Sequence, residues 1–200
     1  IVFFTGGSNS ISHRIYDDFL KNVQKQNISV YVPSFNYEYM NYLIRILTRK
    51  YKKVIMIGHS SGCNTLLNNC NYTNIKNIIL IDPVKTTFFN KKTFFLPYIN
   101  SVLFIHAMKS YKISYNPYGL PFIPNFLRLQ KKDIDLNKDN NIQIVEFDQY
   151  GHSDILNPYI SNFMHYTRIT TGHENRNLSH LHNYYSKITN LIKNIIDSTF

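Results

Sequence analysis

The chain has 200 residues, the size of one domain whose core is large enough to fold without disulfides or metals. Hydrophobic residues at 44% and aromatic residues at 15% are ordinary for a packed globule, and no stretch approaches the roughly 18 apolar residues of a membrane span. The net charge of +10 comes from basic residues that occur in ones and twos, among them the pairs Lys91-Lys92 and Lys131-Lys132, and this distribution does not favour nucleic-acid binding.

Six short β-rich apolar runs alternate with longer polar segments along the chain. They are Ile1–Phe4, Ile28–Val32, Val54–Ile57, Ile78–Ile81, Val102–Ile105 and Ile142–Phe147. This alternation is typical of βαβ units around a parallel sheet that is buried on both faces. The sequence therefore predicts an α/β fold, a three-layer sandwich with a mainly parallel sheet of about six strands flanked by helices.

Several segments between these runs have apolar residues at helical spacing. Crossover helices are predicted around Ile11, Ile15, Phe19 and Val23 and around Tyr39, Leu43, Ile46 and Leu47. Further helices are predicted at Cys63–Cys70 and Tyr184–Ile196. Cys63 and Cys70 lie on one predicted helix and could not easily form a disulfide with each other. No repeat or second domain is visible, so residues 1–200 are predicted to form a single domain.

Two long connections, 85–98 and 111–132, do not fit the alternation. The first is rich in Phe, and the second carries Pro117, Pro121 and Pro124 among Tyr, Phe and Leu residues. Connections of this composition form lids or pocket walls, or simply pack their aromatic rings onto the sheet. Both interpretations remain open at this stage.

The third apolar run leads into a G-x-S-x-G pattern and then into a predicted helix. The five residues are Gly58, His59, Ser60, Ser61 and Gly62. Glycines at both ends let a strand and a helix approach closely, and the turn displays the serine hydroxyl near a helix N-terminus. Ser60 is therefore predicted to be a catalytic nucleophile, and a structural Gly-Ser turn is the alternative.

A serine nucleophile needs a base that removes its hydroxyl proton. His152 is the predicted base, because it lies on the loop directly after the sixth run. His59 lies inside the G-x-S-x-G pattern and His106 ends a predicted strand, so each is a weaker candidate for the base than His152. Four histidines nearer the C-terminus show no spacing diagnostic of metal ligands, so no metal is expected. They are His165, His173, His180 and His182.

The acid that orients the base is predicted to be Asp82. It is the only carboxylate between Ser60 and Asp133, and it ends the fourth run just before Pro83. A carboxylate there would fix the tautomer of His152 and stabilise the imidazolium. An Asp-Pro turn is the alternative role, and the fallback acids are Asp133, Asp148 and Asp154.

The tetrahedral intermediate needs two backbone N–H donors. One is predicted to be the amide of Ser61, the residue after the nucleophile. The other is predicted to be the amide of Gly7 or Ser8, in the Thr5–Asn9 loop that leaves the first strand.

Through these motifs the chain resembles the α/β-hydrolase superfamily, and more narrowly its chlorophyllase and PET-hydrolase-like branch. The segments that carry the resemblance are Gly58–Gly62, Ile81–Val84 and Tyr150–Leu156, within a similar stretch from Ile1 to about Pro158. In that branch an Ile-Asp-Pro-Val segment supplies the acid and a Tyr-Gly-His-x-Asp segment the base. The chain departs from the pattern at Thr5-Gly6, where relatives usually have His-Gly. It also lacks the early antiparallel strands, which indicates a compact form or a trimmed sequence.

The resemblance implies a lipase-like or esterase-like enzyme that cleaves a carboxylic ester through an acyl-enzyme intermediate, without a cofactor. The aromatic segments favour a small apolar ester as substrate, and a peripheral lipid contact is a further candidate. Alternatives are a thioesterase or peptidase with the same triad, or a catalytically silent binding module of the same fold. Two cysteines and no visible signal or transmembrane segment favour a cytoplasmic location.

Overall fold

The computed structural model describes residues 1–33, 36–85, 93–111, 127–136, 141–167 and 177–198. The strands in this part of the chain are β1 (Val2–Phe4), β2 (Val54–His59), β3 (Ile75–Ile81), β4 (Phe94–Leu96), β5 (Ser101–Ala107), β6 (Ile134–Leu136) and β7 (Asn141–Phe147). Five of them form the main sheet in the order β1-β2-β3-β5-β7. The pairs β1/β2, β2/β3 and β3/β5 are parallel, and β4 and β6 form a separate parallel pair.

The helices are α2 (Asp17–Gln24), α3 (Tyr37–Lys50), α4 (Gly62–Asn69), α5 (Pro158–Tyr166) and α6 (Leu178–Ser198), preceded by the short turn α1 (Gly6–Asn9), in which Gly7 and Ser8 have non-helical backbone angles. Helix α3 begins after Asn36, whose Oδ1 accepts hydrogen bonds from the amides of Glu38 (3.0 Å) and Tyr39 (3.1 Å). Its last turn carries Arg49 and Lys50, whose charges complement the helix dipole. Helix α5 begins after Asn157, which caps the amide of Ile160 at 3.0 Å.

The main sheet is buried on both faces, as its nearly continuous apolar strands require. On one face Met56, Ile78 and Val102 pack with Ile44 of α3 and Leu66 of α4. The alternate residues of the same strands are buried as well, among them Phe3, Ile57, Ile79 and Ile105. Each fully buried side chain of this size contributes about 1.5–3 kcal/mol, so burial of both faces of the sheet stabilises this part of the chain.

The chain groups into two compact units. The first consists of Ile1–Ser12, Tyr31–His106 and Asn125–Val145, and the second of His13–Val30, Ala107–Pro124 and Glu146–Phe200. The first unit contains α3, α4 and the sheet except for the last residues of β5 and β7. In the second unit Phe19 of α2 packs on Tyr185 of α6, with ring centroids 6.1 Å apart. The single-domain expectation stays a prediction.

The prediction of an α/β protein with a mainly parallel sheet is confirmed, and the number of strands is one fewer than the about six expected. The main sheet has five strands among the described residues, because Ile28–Val32 does not form one. Only Tyr31 pairs there, in an isolated parallel bridge to Val2. Asn27 has a φ of 59°, which turns the chain before this run, and Pro33 has no N–H to continue a ladder after it. The three-layer arrangement and the α/β-hydrolase fold stay predictions.

The helix predictions before the third run, after the third strand and at the end of the chain are confirmed as α3, α4 and α6. The predicted crossover around Ile11 to Val23 is shorter than expected, because His13–Tyr16 forms a 3-10 turn and α2 begins at Asp17. Most of the two predicted lid segments, at 86–92 and 112–126, lies outside the described residues. Within the described chain no helix is both long enough and apolar enough to cross a membrane.

Candidate active site

Ser60 occupies a tight turn between β2 and α4. Its φ is 56°, in the left-handed region that residues with a side chain rarely adopt. Its amide donates to the carbonyl O of Ile81 at 3.0 Å, and its own carbonyl O accepts from Cys63 N (3.1 Å) and Val84 N (3.3 Å). These bonds to β3, to Val84 and to α4 hold the strained conformation. The half-buried Ser60 side chain is therefore fixed between the end of a strand and the start of a helix.

Two glycines make this turn sterically feasible. A Cβ on Gly58 would lie 2.9 Å from Cys63 Cα, and a Cβ on Gly62 would lie 2.1 Å from the Thr5 carbonyl O. The second distance is far below van der Waals contact, and the obstructing atom belongs to the backbone. The chain can therefore bring the elbow, Gly58–Gly62, against the end of β1 only with glycine at position 62.

The loop after β1, Thr5–Asn9, has an unusual backbone. Gly7, Ser8 and Asn9 have successive φ values of 59°, 55° and 70°. The buried Asn9 side chain stabilises this shape: its Oδ1 accepts from the Thr5 amide at 3.0 Å, and its Nδ2 donates to the Pro33 carbonyl O at 2.9 Å. Asn9 was not identified from the sequence, although asparagine is one of the few residues that tolerate this φ.

A hydrogen bond joins this loop to the elbow. The Ser8 amide donates to Ser61 Oγ at 2.8 Å. The Gly7 amide, in contrast, has no acceptor among the described residues of its unit. Of the two donors predicted for an oxyanion, Ser8 is therefore engaged by a side chain and Gly7 is the one left available. The Ser61 amide lies at the N-terminus of α4, as expected.

Asp82 directly follows β3 and is almost fully buried, with 1% of its surface exposed. Its φ of 45° is also left-handed, and its amide donates to the Ile105 carbonyl O at 2.7 Å. His59 at the end of β2 is in register with Ile81 at the end of β3, so Ser60 and Asp82 follow neighbouring parallel strands at the same level. Such strands lie about 4.8 Å apart. The structure therefore brings these two predicted site residues to one edge of the sheet.

The surroundings of Asp82 include a buried histidine and a buried cysteine. Burial and then the positive charge of Arg128 lower the pKa of His106 to about 4, and the Asp82 carboxylate opposes that change. His106 is therefore neutral at neutral pH. Burial chiefly, with a contribution from Asp82, raises the pKa of the Cys63 thiol well above its ordinary value. Cys63 consequently stays protonated and is unsuited to act as a nucleophile.

His152 belongs to the second unit, where it begins the 3-10 turn His152–Ile155 after β7. The turn is held by Asp154, whose Oδ2 accepts from the Gly151 amide at 2.8 Å and whose Oδ1 accepts from Ser161 Oγ at 3.3 Å. Tyr150, just before the turn, stacks on Tyr184 of α6 with ring centroids 4.2 Å apart. The His152 ring is thus presented from a well-anchored, buried loop.

The fallback acids have other structural roles or exposed positions. Asp133 forms an ion pair with Lys85, with 2.9 Å between Oδ1 and Nζ, and its Oδ2 accepts from the Gln130 amide at 2.7 Å. Asp154 stabilises the His152 turn, and Asp148 is exposed. These assignments favour Asp82 as the acid. The hydrogen bonds expected between His152 and the two residues of the first unit stay predictions.

Cys63 and Cys70 are both buried and free. Across the described part of the chain, no three His, Cys, Asp or Glu side chains are grouped in a way that could hold a metal ion. No protein-family model matches the chain, and the search of curated proteins finds no match either. A functional assignment therefore depends on the local geometry of the elbow, the Thr5–Asn9 loop, Asp82 and the His152 turn.

Proposed function

We propose that the protein is a serine hydrolase that cleaves a carboxylic ester with Ser60 as nucleophile, His152 as base and Asp82 as the orienting acid. The observation that carries the proposal is the φ of 56° at Ser60, on a strand-to-helix turn beside the buried Asp82. Strained conformations at residues other than glycine cost about 1–3 kcal/mol each, and they cluster at functional sites. A turn that served only to connect β2 and α4 would avoid that cost with a glycine at position 60.

In the proposed reaction His152 removes the hydroxyl proton as Ser60 Oγ attacks the ester carbonyl carbon. The Asp82 carboxylate accepts a hydrogen bond from the other ring nitrogen and stabilises the imidazolium. The imidazolium then gives its proton to the alcohol oxygen, the ester C–O bond breaks, and an acyl group remains on Ser60. Water, activated by the same histidine, hydrolyses this acyl-enzyme and restores the hydroxyl.

Negative charge develops on the carbonyl oxygen during both steps and needs preorganised donors. The Ser61 and Gly7 amides are the candidates, because the Ser8 amide already donates to Ser61 Oγ. The N-terminus of α4 adds a favourable electrostatic contribution at the same point. The proposed preference for a small apolar ester depends on segments 85–98 and 111–132, which lie largely outside the described residues.

A fluorophosphonate probe tests the nucleophile directly. Ser60 Oγ would attack phosphorus and displace fluoride, and the serine proton would pass to His152. We expect one probe per chain, and mass spectrometry of the labelled peptide should place it on Ser60 and not on the adjacent Ser61. Ser60→Ala should abolish labelling, whereas Ser198→Ala, an exposed serine in α6, should leave it unchanged.

Other outcomes of this experiment would reject the proposal. An unlabelled wild-type chain that also fails to hydrolyse nitrophenyl esters of short acyl chains would indicate a catalytically silent module. Labelling at Ser61 or at another serine would show that the nucleophile is wrongly assigned.

The Ser61 side chain is expected to act as a positioning group. Ser61→Ala removes the acceptor of the Ser8 amide, so the Thr5–Asn9 loop loses its bond to the elbow. We expect kcat to fall about tenfold with little change in KM, less than the 10²–10³-fold loss that follows removal of an oxyanion donor itself. Ser61→Thr keeps a hydroxyl and should recover most of the rate. Steady-state kinetics with an unfolding midpoint for each variant measure this, and equal rates for wild type and Ser61→Ala would refute it.

A further inference from the structure

One face of α3 exposes large apolar side chains. Tyr39, Tyr42 and Ile46 are 53%, 62% and 39% exposed. Their spacing of three and four residues places them in a single stripe on the helix surface. Scattered exposed apolar residues are normal on a soluble protein, but a contiguous group of them marks an interaction site.

Basic residues accompany this stripe. Residues 36–53 contain five of them, all exposed, and a single acidic residue, Glu38, which gives the segment a net charge of 5 − 1 = +4. The five are Arg45, Arg49, Lys50, Lys52 and Lys53. Arg45 follows Tyr42 by three residues and Arg49 follows Ile46 by three, so guanidinium groups flank the apolar stripe. Lys52 and Lys53 follow the end of the helix. We call the stripe together with these five basic residues the α3 face.

The opposite side of the same helix is firmly held. Met40, Ile44 and Leu47 are buried in the core that packs on the sheet. The side chains of the α3 face are therefore not needed for that core, and their exposure is not the result of a loosely attached helix. A helix with an anchored apolar side and an outer side of aromatic, aliphatic and basic residues has the character of an interfacial membrane-binding surface.

We propose that the α3 face binds the surface of an anionic phospholipid membrane. Tyr39, Tyr42 and Ile46 would enter the headgroup region, and the basic residues would lie against lipid phosphates. The charge of +4 is complementary to such a surface. The aliphatic Ile46, one turn after Tyr42 in the same stripe, favours lipid over nucleic acid, because phosphate-backbone binding gains nothing from an apolar side chain. The proposal does not depend on the catalytic assignment.

Sedimentation of the full chain with lipid vesicles tests the proposal. Vesicles of phosphatidylcholine alone are compared with vesicles that also contain phosphatidylserine. We expect binding to the second kind only, weakening as salt is raised. The double substitution Arg45→Gln with Arg49→Gln should weaken vesicle binding about thirtyfold, because each basic residue near the membrane contributes roughly fivefold. Tyr42→Ser with Ile46→Ser should also weaken it, by about tenfold or more, because apolar area that enters the membrane is lost.

The matched control is Lys131→Gln with Lys132→Gln, an exposed basic pair outside α3 that removes the same charge. It should retain binding within about twofold. All substituted side chains are exposed, so the variants should keep the wild-type unfolding midpoint. Equal losses from the two charge variants would reduce the effect to net charge and overturn the proposal. Equal binding to vesicles with and without phosphatidylserine would also overturn it. So would binding to duplex DNA that is weakened by the Arg45 and Arg49 substitutions and unaffected by those at Tyr42 and Ile46.

Discussion

Asp82→Asn is expected to lower kcat for ester hydrolysis by about 10³–10⁴-fold and to leave the protein folded. The carboxylate and the amide have nearly the same volume, so the buried site after β3 can accept the change. The amide, however, can present an N–H to the His152 ring, which favours the wrong tautomer and leaves the imidazolium without a stabilising charge. Steady-state kinetics and an unfolding curve for each protein measure the two effects separately.

Two other aspartates provide matched controls for this experiment. Asp133→Asn breaks the ion pair with Lys85, whose partly exposed geometry makes it worth about 1 kcal/mol at most. Asp148→Asn changes an exposed carboxyl. Both variants should keep kcat within about twofold of wild type. If the large loss of kcat appeared in Asp133→Asn and not in Asp82→Asn, the acid would be wrongly assigned.

The elbow could be predicted from the sequence because its signals are local. A buried strand, a G-x-S-x-G pattern and a helix follow one another within Val54–Asn69, and each signal supports the next. The position of Asp82 beside Ser60 could be predicted for a related reason, since it is the one carboxylate in a long stretch and it follows a strand. Parallel strands bring their ends to one edge, so no detail of packing was needed to place Ser60 near Asp82.

Contacts between distant residues could not be predicted in this way. The bond between the Ser8 amide and Ser61 Oγ joins residues 53 positions apart, and no periodicity indicates it. It engages the Ser8 amide and leaves the Gly7 amide as the available one of the two candidate donors, a choice the sequence left open. The grouping of His106 with Asp82 and Arg128 also depends on contacts between distant parts of the chain. Arg128 belongs to it because residue 128 pairs with Val84 in an isolated antiparallel bridge.

Two errors in the predicted secondary structure have local physical causes. The run Ile28–Val32 has the composition of a strand, but the neighbouring Asn27 and Pro33 prevent it from pairing over its length. Helix α5 was missed because its apolar residues do not follow a buried face: Tyr159, Phe163 and Tyr166 are all largely exposed. Hydrophobic periodicity reports burial, and it fails where apolar side chains face solvent.

Gly62→Ala is expected to impair both stability and catalysis. The added methyl would lie 2.1 Å from the Thr5 carbonyl O and 2.8 Å from the Phe4 carbonyl O. These are backbone atoms, and Phe4 is fully buried at the end of β1, so they cannot move aside at low cost. We expect the free energy of unfolding to fall by about 3 kcal/mol, the upper part of the usual range for overpacking. Denaturant unfolding measures this loss.

The catalytic effect of Gly62→Ala should exceed what unfolding explains. At a temperature where the variant is still folded, kcat should fall about a hundredfold, because the methyl pushes the Thr5–Asn9 loop, with the Gly7 amide, away from the elbow. Asn68→Ala, an exposed change in the same helix, should alter stability by no more than about 0.5 kcal/mol and leave kcat unchanged. If Gly62→Ala matched Asn68→Ala in both measurements, the loop could move freely against the elbow, and the Gly7 amide could not be a preorganised donor. A loss of stability without a loss of kcat would confine the role of Gly62 to packing.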